Sequence, residues 1–348
     1  MTHFTPSVER AHECREGMDE SLWSSVRDLL AELTDGQVTG QQVDGQSADG
    51  GSSAQPAEAT NLLDYAAYFD LALAASAPVE VSAEAKFRAL EHLQRRLRVA
   101  ARPSANSAPP RVTNYSEEDY TVHQLDQMRR WWDIEPANRM AMTRATDDEF
   151  ARTRSQIDVA MDFLREAAPE LHQEVEIIVR DIILSRPDGT NLINYSGASS
   201  FALWGGLTIN AETQREWAQL YRQIVHEQGH NLLFGIARDQ PLVMDDPADR
   251  RPSPIRADPR PMDGIFHAAF VSAREAYAFE ALLSRHDETS CLSSEDAVIL
   301  DDLLELSVLA FWSAVETLRE EAQLTALGEA VLADCEAYMS AQFAIEPC

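Results

Sequence analysis

The chain has 348 residues, 45% of them hydrophobic, enough to build a sizeable core in one large domain or two smaller ones. Its formal net charge of −29 argues against a nucleic-acid-binding surface, because phosphates would be repelled. Lys86 is the only lysine and sits in neither a glycine loop nor a strand, which excludes P-loop and Schiff-base enzymes.

Cys14, Cys291, Cys335 and Cys348 are scattered without a CxxC pair, so neither a disulfide framework nor a zinc knuckle is indicated. There is no apolar N-terminal targeting segment and no run of about 18 apolar residues, so the chain reads as cytoplasmic, reduced and without a membrane partner. The acidic balance is compatible with a basic peptide partner, but as a solubility device it needs none.

In chain order, residues 21–33 form an amphipathic helix. Residues 35–60, rich in Gly, Gln, Ser, Asp and Ala without apolar periodicity, read as a flexible loop. Helices near 61–75 and 82–100 follow, the second with a basic run from Arg95 to Arg98 that suits a solvated face. A Pro/Ser-rich break at 102–112 sets a domain boundary, leaving 1–112 as a helical N-terminal region and 113–348 as a larger unit. That unit opens with helices near 117–133 and 146–168, where Trp131 and Trp132 read as packing residues, with stacking on a substrate as the weaker alternative. Residues 171–185 suit either a helix turning into a strand or a strand throughout. Residues 192–196 and 201–209 read as strands around a turn at 197–200, the second leading into the next helix and offering a backbone edge to an extended peptide. Beyond an irregular, proline-rich stretch at 236–262, helices resume near 263–285, 293–318 and 321–342.

The helix after the second strand carries His226-Glu227-Gln228-Gly229-His230, an HExxH signature. Helical positions four apart lie on one face, so both imidazoles aim at one point, the start of a transition-metal site. Glu227 stands where a carboxylate reaches a metal-bound water. Trp217, Leu220, Tyr221, Ile224, Leu232 and Leu233 recur at helical spacing around the motif, which favours a buried segment over two histidines on a solvated face. Asn210 is a candidate N-cap and Gly235 a candidate terminator.

A metal centre needs a third protein ligand and an open position. His267, Glu275 and Glu280, all on the helix after the proline-rich stretch, are the candidates. Glu275 or Glu280 would give a His-His-Glu zinc site of the thermolysin type, with Glu227 as the base of a metallopeptidase. His267 would give three histidines. Arg274 is seven residues from His267, on the same stripe and about 10 Å along the axis, a length match for a small dicarboxylate held between metal and guanidinium. Glu275 points about 80° away from His267, toward a neighbouring element. Upstream, prolines in Ser253–Gly264 stiffen a loop carrying Arg256 and Arg260, placed either to grip a carboxylate or to pair with nearby aspartates.

The combination of HEQGH with SPIRADPRPMDGIFHAAFVSAREA resembles the α-ketoglutarate-dependent HExxH-type peptide β-hydroxylases associated with ribosomally made, modified peptides. The likeness covers roughly residues 145–290. It implies iron(II) held by His226, His230 and His267, with α-ketoglutarate and dioxygen in the remaining positions. The reaction it implies is hydroxylation at the β carbon of a residue in a peptide or carrier-bound substrate, in natural-product biosynthesis. Arg274, Arg256 and Arg260, in that order, are then candidates for the α-ketoglutarate carboxylates, and Glu227 orients a ligand or a bound water instead of acting as a base. The fold expected is α+β and predominantly helical, with a zincin-like metal helix beside a small sheet. Two other readings stand beside it: the zinc metallopeptidase, and a non-catalytic module with structural histidines.

Overall fold

The computed structural model describes residues 3–35, 59–77, 81–98, 109–132, 140–190, 195–253 and 259–343. Within them the chain is predominantly helical with one small mixed sheet, the α+β class expected from the sequence. The helices are α1 (Val8–Asp35), α2 (Leu62–Ser76), α3 (Ala83–Arg98), α4 (Val122–Trp132), α5 (Asp147–Ala167), α6 (Pro169–Ile178), α7 (Trp217–Ile236), α8 (Met262–Thr289), α9 (Ser294–Glu321) and α10 (Ala326–Gln342). The strands are β1 (Arg111–Asn114), β2 (Met142–Arg144), β3 (Asp181–Pro187), β4 (Gly197–Ser199) and β5 (Gly206–Asn210). The expected loop at 35–60 and the break at 102–112 fall largely outside the described residues.

Strand order is β1-β3-β5-β4, with β2 pairing β3 beyond the end of β1. β1, β3 and β5 are mutually parallel, while β2 and β4 run antiparallel to their neighbours. The two-residue period of β3 divides the core between the two faces of the sheet. Ile182 and Leu184 join Leu207 and Ile209 of β5 against α5, α6, α7 and α8. Ile183 points the other way, against Leu62, Leu63 and Ala66 of α2 and Met128 and Trp132 of α4.

A third cluster joins Phe4 and, from α1, Met18, Leu22 and Trp23, to Phe266 and Phe270 of α8 and Met339 of α10. The domain division was expected at residue 112. Position 112 lies inside β1, which pairs with β3, and the helices on either side of it share their cores. Composition marked the break in residue type but carries no information about which apolar faces meet.

Two local readings are resolved or moved. Residues 171–185 are a helix that turns into a strand, α6 then β3. The strand expected at 192–196 falls largely outside the described residues; the turn expected at 197–200 is mostly β4, and the reversal to β5 runs through a 3-10 turn at Phe201–Leu203 and Gly205, whose φ of +82° favours glycine. No helix among the described residues is long and apolar enough to cross a membrane.

The central element is α8, buried on all sides from Ile265 to Ala276. Polar groups within that stretch must find partners, and His267, Arg274 and Glu275 all lie there.

Candidate metal centre

The HExxH helix, α7, starts later than the Asn210 cap would place it. Asn210 ends β5, and Glu216 caps the helix through a reciprocal pair with Gln219. Gly235 lies inside the last turn, with Ala237 as the C-cap. The motif helix is tied to the turn before β5 by Asn231. Its side chain accepts from Gly205 N at 2.8 Å, and its carbonyl accepts the Trp204 indole N–H at 2.9 Å.

The structure brings the three predicted histidines together. Nε2 of His226 and Nε2 of His230 are 3.2 Å apart. Two nitrogens each about 2.1 Å from one ion, at roughly a right angle, would lie about 3.0 Å apart, so this pair fits a shared metal. His267 comes from α8 with its ring 5.1 Å from that of His230, centroid to centroid, and nearly parallel to it. Their contact is Nδ1 to Nδ1, at 2.8 Å. That is the other nitrogen of the His230 ring from the one facing His226. Among the described residues no three donor atoms converge on a single point, and His267 lies against the pair as a neighbour. The donor chemistry, three imidazoles in contact, suits a first-row transition metal.

Glu275 stands behind His226, its Oε1 2.8 Å from Nδ1, and also accepts from Arg222 Nε at 3.1 Å and Ser307 Oγ at 2.8 Å. Burial works to raise this carboxyl, but the hydrogen bond and charge of His226, with Arg222 and Ser307, hold it below the usual range. The same carboxylate raises His226 against the opposing effect of burial. A carboxylate on Nδ1 fixes the tautomer that leaves Nε2 free for a metal. Burial lowers His267, while Asp263 opposes the shift and His226 adds to it.

Glu227 is held differently. Its Oε2 accepts Ser199 Oγ from β4 at 2.6 Å, and its Oε1 accepts Gln223 Nε2 at 2.7 Å. Burial raises its carboxyl above the ordinary value despite His226 and both donors. Two buried carboxyls at one site are thus pushed in opposite directions, Glu275 toward the ionised form and Glu227 toward the protonated one. Glu280 is not at the centre. It lies about 20 Å along α8 from His267, by the helical rise, and accepts a bond from Ser284.

Arg274, the leading candidate for a dicarboxylate, lies in the core. It is fully buried, ion-paired with Glu174 of α6, and donates to Phe4 O at 2.8 Å and Gln228 Oε1 at 3.3 Å. The seven-residue spacing puts Arg274 and His267 on one stripe, but the stripe reaches the core before it reaches Arg274. Arg256 lies outside the described residues. Arg260 is half-buried where the proline-rich loop closes, its backbone exchanging both hydrogen bonds with Arg251 at 2.7 and 2.8 Å.

Among the described residues, a cation near His226 that sequence reasoning missed is Arg222, which donates to Glu275. Arg222 lies one turn before His226 on α7, and its side chain is 37% exposed. The signal was present, since 222 and 226 are four apart on one helix face. Ser199 and Gln223 were also missed. Gln223 shares that signal with Glu227, whereas nothing local to residue 199 announces that β4 crosses α7 there.

No protein-family model matches the chain, and no curated protein matches it. The likeness to peptide hydroxylases is therefore carried by the motif residues alone.

Proposed function

We propose that this protein is an iron(II)- and α-ketoglutarate-dependent hydroxylase acting on the β carbon of a residue in a peptide or peptide-like substrate. Cytoplasmic natural-product biosynthesis is the setting that the motif resemblance suggests. His226, His230 and His267 would hold the metal. The observation that carries the reading is the position of Glu275 at Nδ1 of His226, on the far side of the ring from His230, so that the third neighbour of the pair is an imidazole and not a carboxylate. Bound iron(II) would supply dioxygen activation and a chelating position for the keto acid.

The chain's own residues divide the remaining work. Glu275 orients His226. Arg222 presents a part-exposed guanidinium for a carboxylate, the role first given to Arg274. Ser199 and Gln223 engage both oxygens of Glu227, which makes it an orienting group more readily than a mobile base. The short antiparallel edge strand β4 beside α7 supports the zincin-like form of the fold.

One observation favours a second reading. Glu227 adjoins His226 next to an edge strand, as a zinc metallopeptidase requires. The experiment separates the two. Protein purified without oxygen is loaded with iron(II) or zinc, then assayed for succinate release from α-ketoglutarate and for cleavage of a casein substrate. Succinate release that depends on iron and is lost in His267→Ala is expected. Zinc-dependent proteolysis abolished by Glu227→Gln, with no succinate, would overturn the hydroxylase.

A further inference from the structure

Four aromatic rings run outward from the histidines. Phe234 lies 5.0 Å from His267 between ring centroids, Phe201 5.8 Å from Phe234, Phe69 5.8 Å from Phe201, and Trp131 5.6 Å from Phe69. They come from α7, the turn after β4, α2 and α4, so tertiary packing alone assembles the series. Every ring is incompletely buried, and Phe201 is 38% exposed. Single apolar residues at a surface need no explanation, but a continuous series that ends against a polar centre does.

The far end of the series is locked. Trp131 donates its indole N–H to Asp70 Oδ1 at 3.1 Å, and the same carboxylate accepts Gln127 Nε2 at 2.8 Å and Arg130. Asp70 is completely enclosed, so these three donors hold it and it holds the ring. The rings meet at interplanar angles of 48° to 71°, the tilted to edge-to-face range.

We infer that this strip is a side-chain subsite that accepts an aromatic residue of the substrate next to the residue being modified. Rings at this spacing and tilt favour an incoming ring over an aliphatic side chain, because edge-to-face contacts add to simple burial. A charged side chain gains nothing there, since Asp70 is already satisfied and Arg130 is committed to it. Phe201, the most exposed ring, is the specificity-determining residue.

The inference rests on the reading of His226, His230 and His267 as the reacting centre, and its test is kept separate from that reading. Saturation-transfer NMR on the metal-free full chain, with N-acetyl amides of phenylalanine, leucine and lysine as probes, needs neither iron nor keto acid. The phenylalanine probe should bind about threefold more tightly than the leucine probe, and the lysine probe should give no transfer. Phe201→Leu should remove the preference for the ring while leaving the leucine probe bound. Phe87→Ala, at a ring on α3 that is 64% exposed, should change nothing. Equal binding of phenylalanine and leucine probes, or a preference that survives Phe201→Leu, would overturn the subsite and leave the hydroxylase proposal standing. Loss of succinate release with the aromatic preference intact would do the reverse.

Discussion

Glu275 and His226 form a carboxylate–imidazole pair across the α7–α8 interface, Oε1 to Nδ1 at 2.8 Å, and this contact decides which nitrogen of His226 remains free. Glu275 was a candidate third ligand by sequence. On the proposed reading, its position at the back of the ring makes it the group that orients His226.

Glu275→Gln should therefore weaken iron(II) or cobalt(II) binding by about 10- to 100-fold without abolishing it. His226→Ala should abolish it. Titration followed by cobalt absorption compares the two. Equal, complete loss in both variants would return Glu275 to the ligand set.

Arg274 ties α8 to α6 through Glu174 in a wholly buried pair. Arg274→Met should cost about 3 kcal/mol in denaturant unfolding, the lower end of the range for breaking such a pair, because Arg10 still faces Glu174 at 2.8 Å. In protein that remains folded, the α-ketoglutarate requirement should be unchanged. A raised requirement with full stability would restore the carboxylate role first given to Arg274.

Arg222 should take that role. Arg222→Gln removes the charge and keeps an amide donor on a shorter side chain. The concentration of α-ketoglutarate for half-maximal succinate release should rise by about tenfold, as for a lost charge-assisted hydrogen bond. An unchanged half-saturation value would remove Arg222 from the keto-acid site.

Gly229 sets how closely the two histidine-bearing helices approach. A Cβ there would stand 3.2 Å from Val271 Cγ1 of α8, closer than ordinary contact. Gly229→Ala should cost about 1 kcal/mol in stability, with α8 pushed outward. Because His230 follows Gly229 and His267 lies one turn before Val271, metal affinity should fall further than stability does. A cobalt titration beside a urea melt measures both, and intact affinity would mean that the rings accommodate the shift.

Much of the helical framework was legible in the residues. Apolar spacing located α2, α5, α8 and α10 to within a few positions, because one buried face at a 3.6-residue period is a local property. α1 extends well before residue 21, the turn expected at 197–200 is mostly β4, and β5 begins later than the strand expected at 201–209. A three-residue strand carries too little pattern to place, and the Gly205 turn that reverses it depends on the backbone approach of its neighbours.

The sequence by itself determined that His226 and His230 share one face of one helix, since four residues of α-helix leave no other choice. It also determined that His267, Arg274 and Glu275 share a second helix. Only tertiary structure decided what each of these meets: His267 a ring of α7, Glu275 the back of His226, Arg274 a buried carboxylate from α6. Helical periodicity specifies the direction in which a side chain leaves its axis. Whether that direction opens on a cleft or on the core depends on how distant apolar faces pack, and no local spacing encodes it.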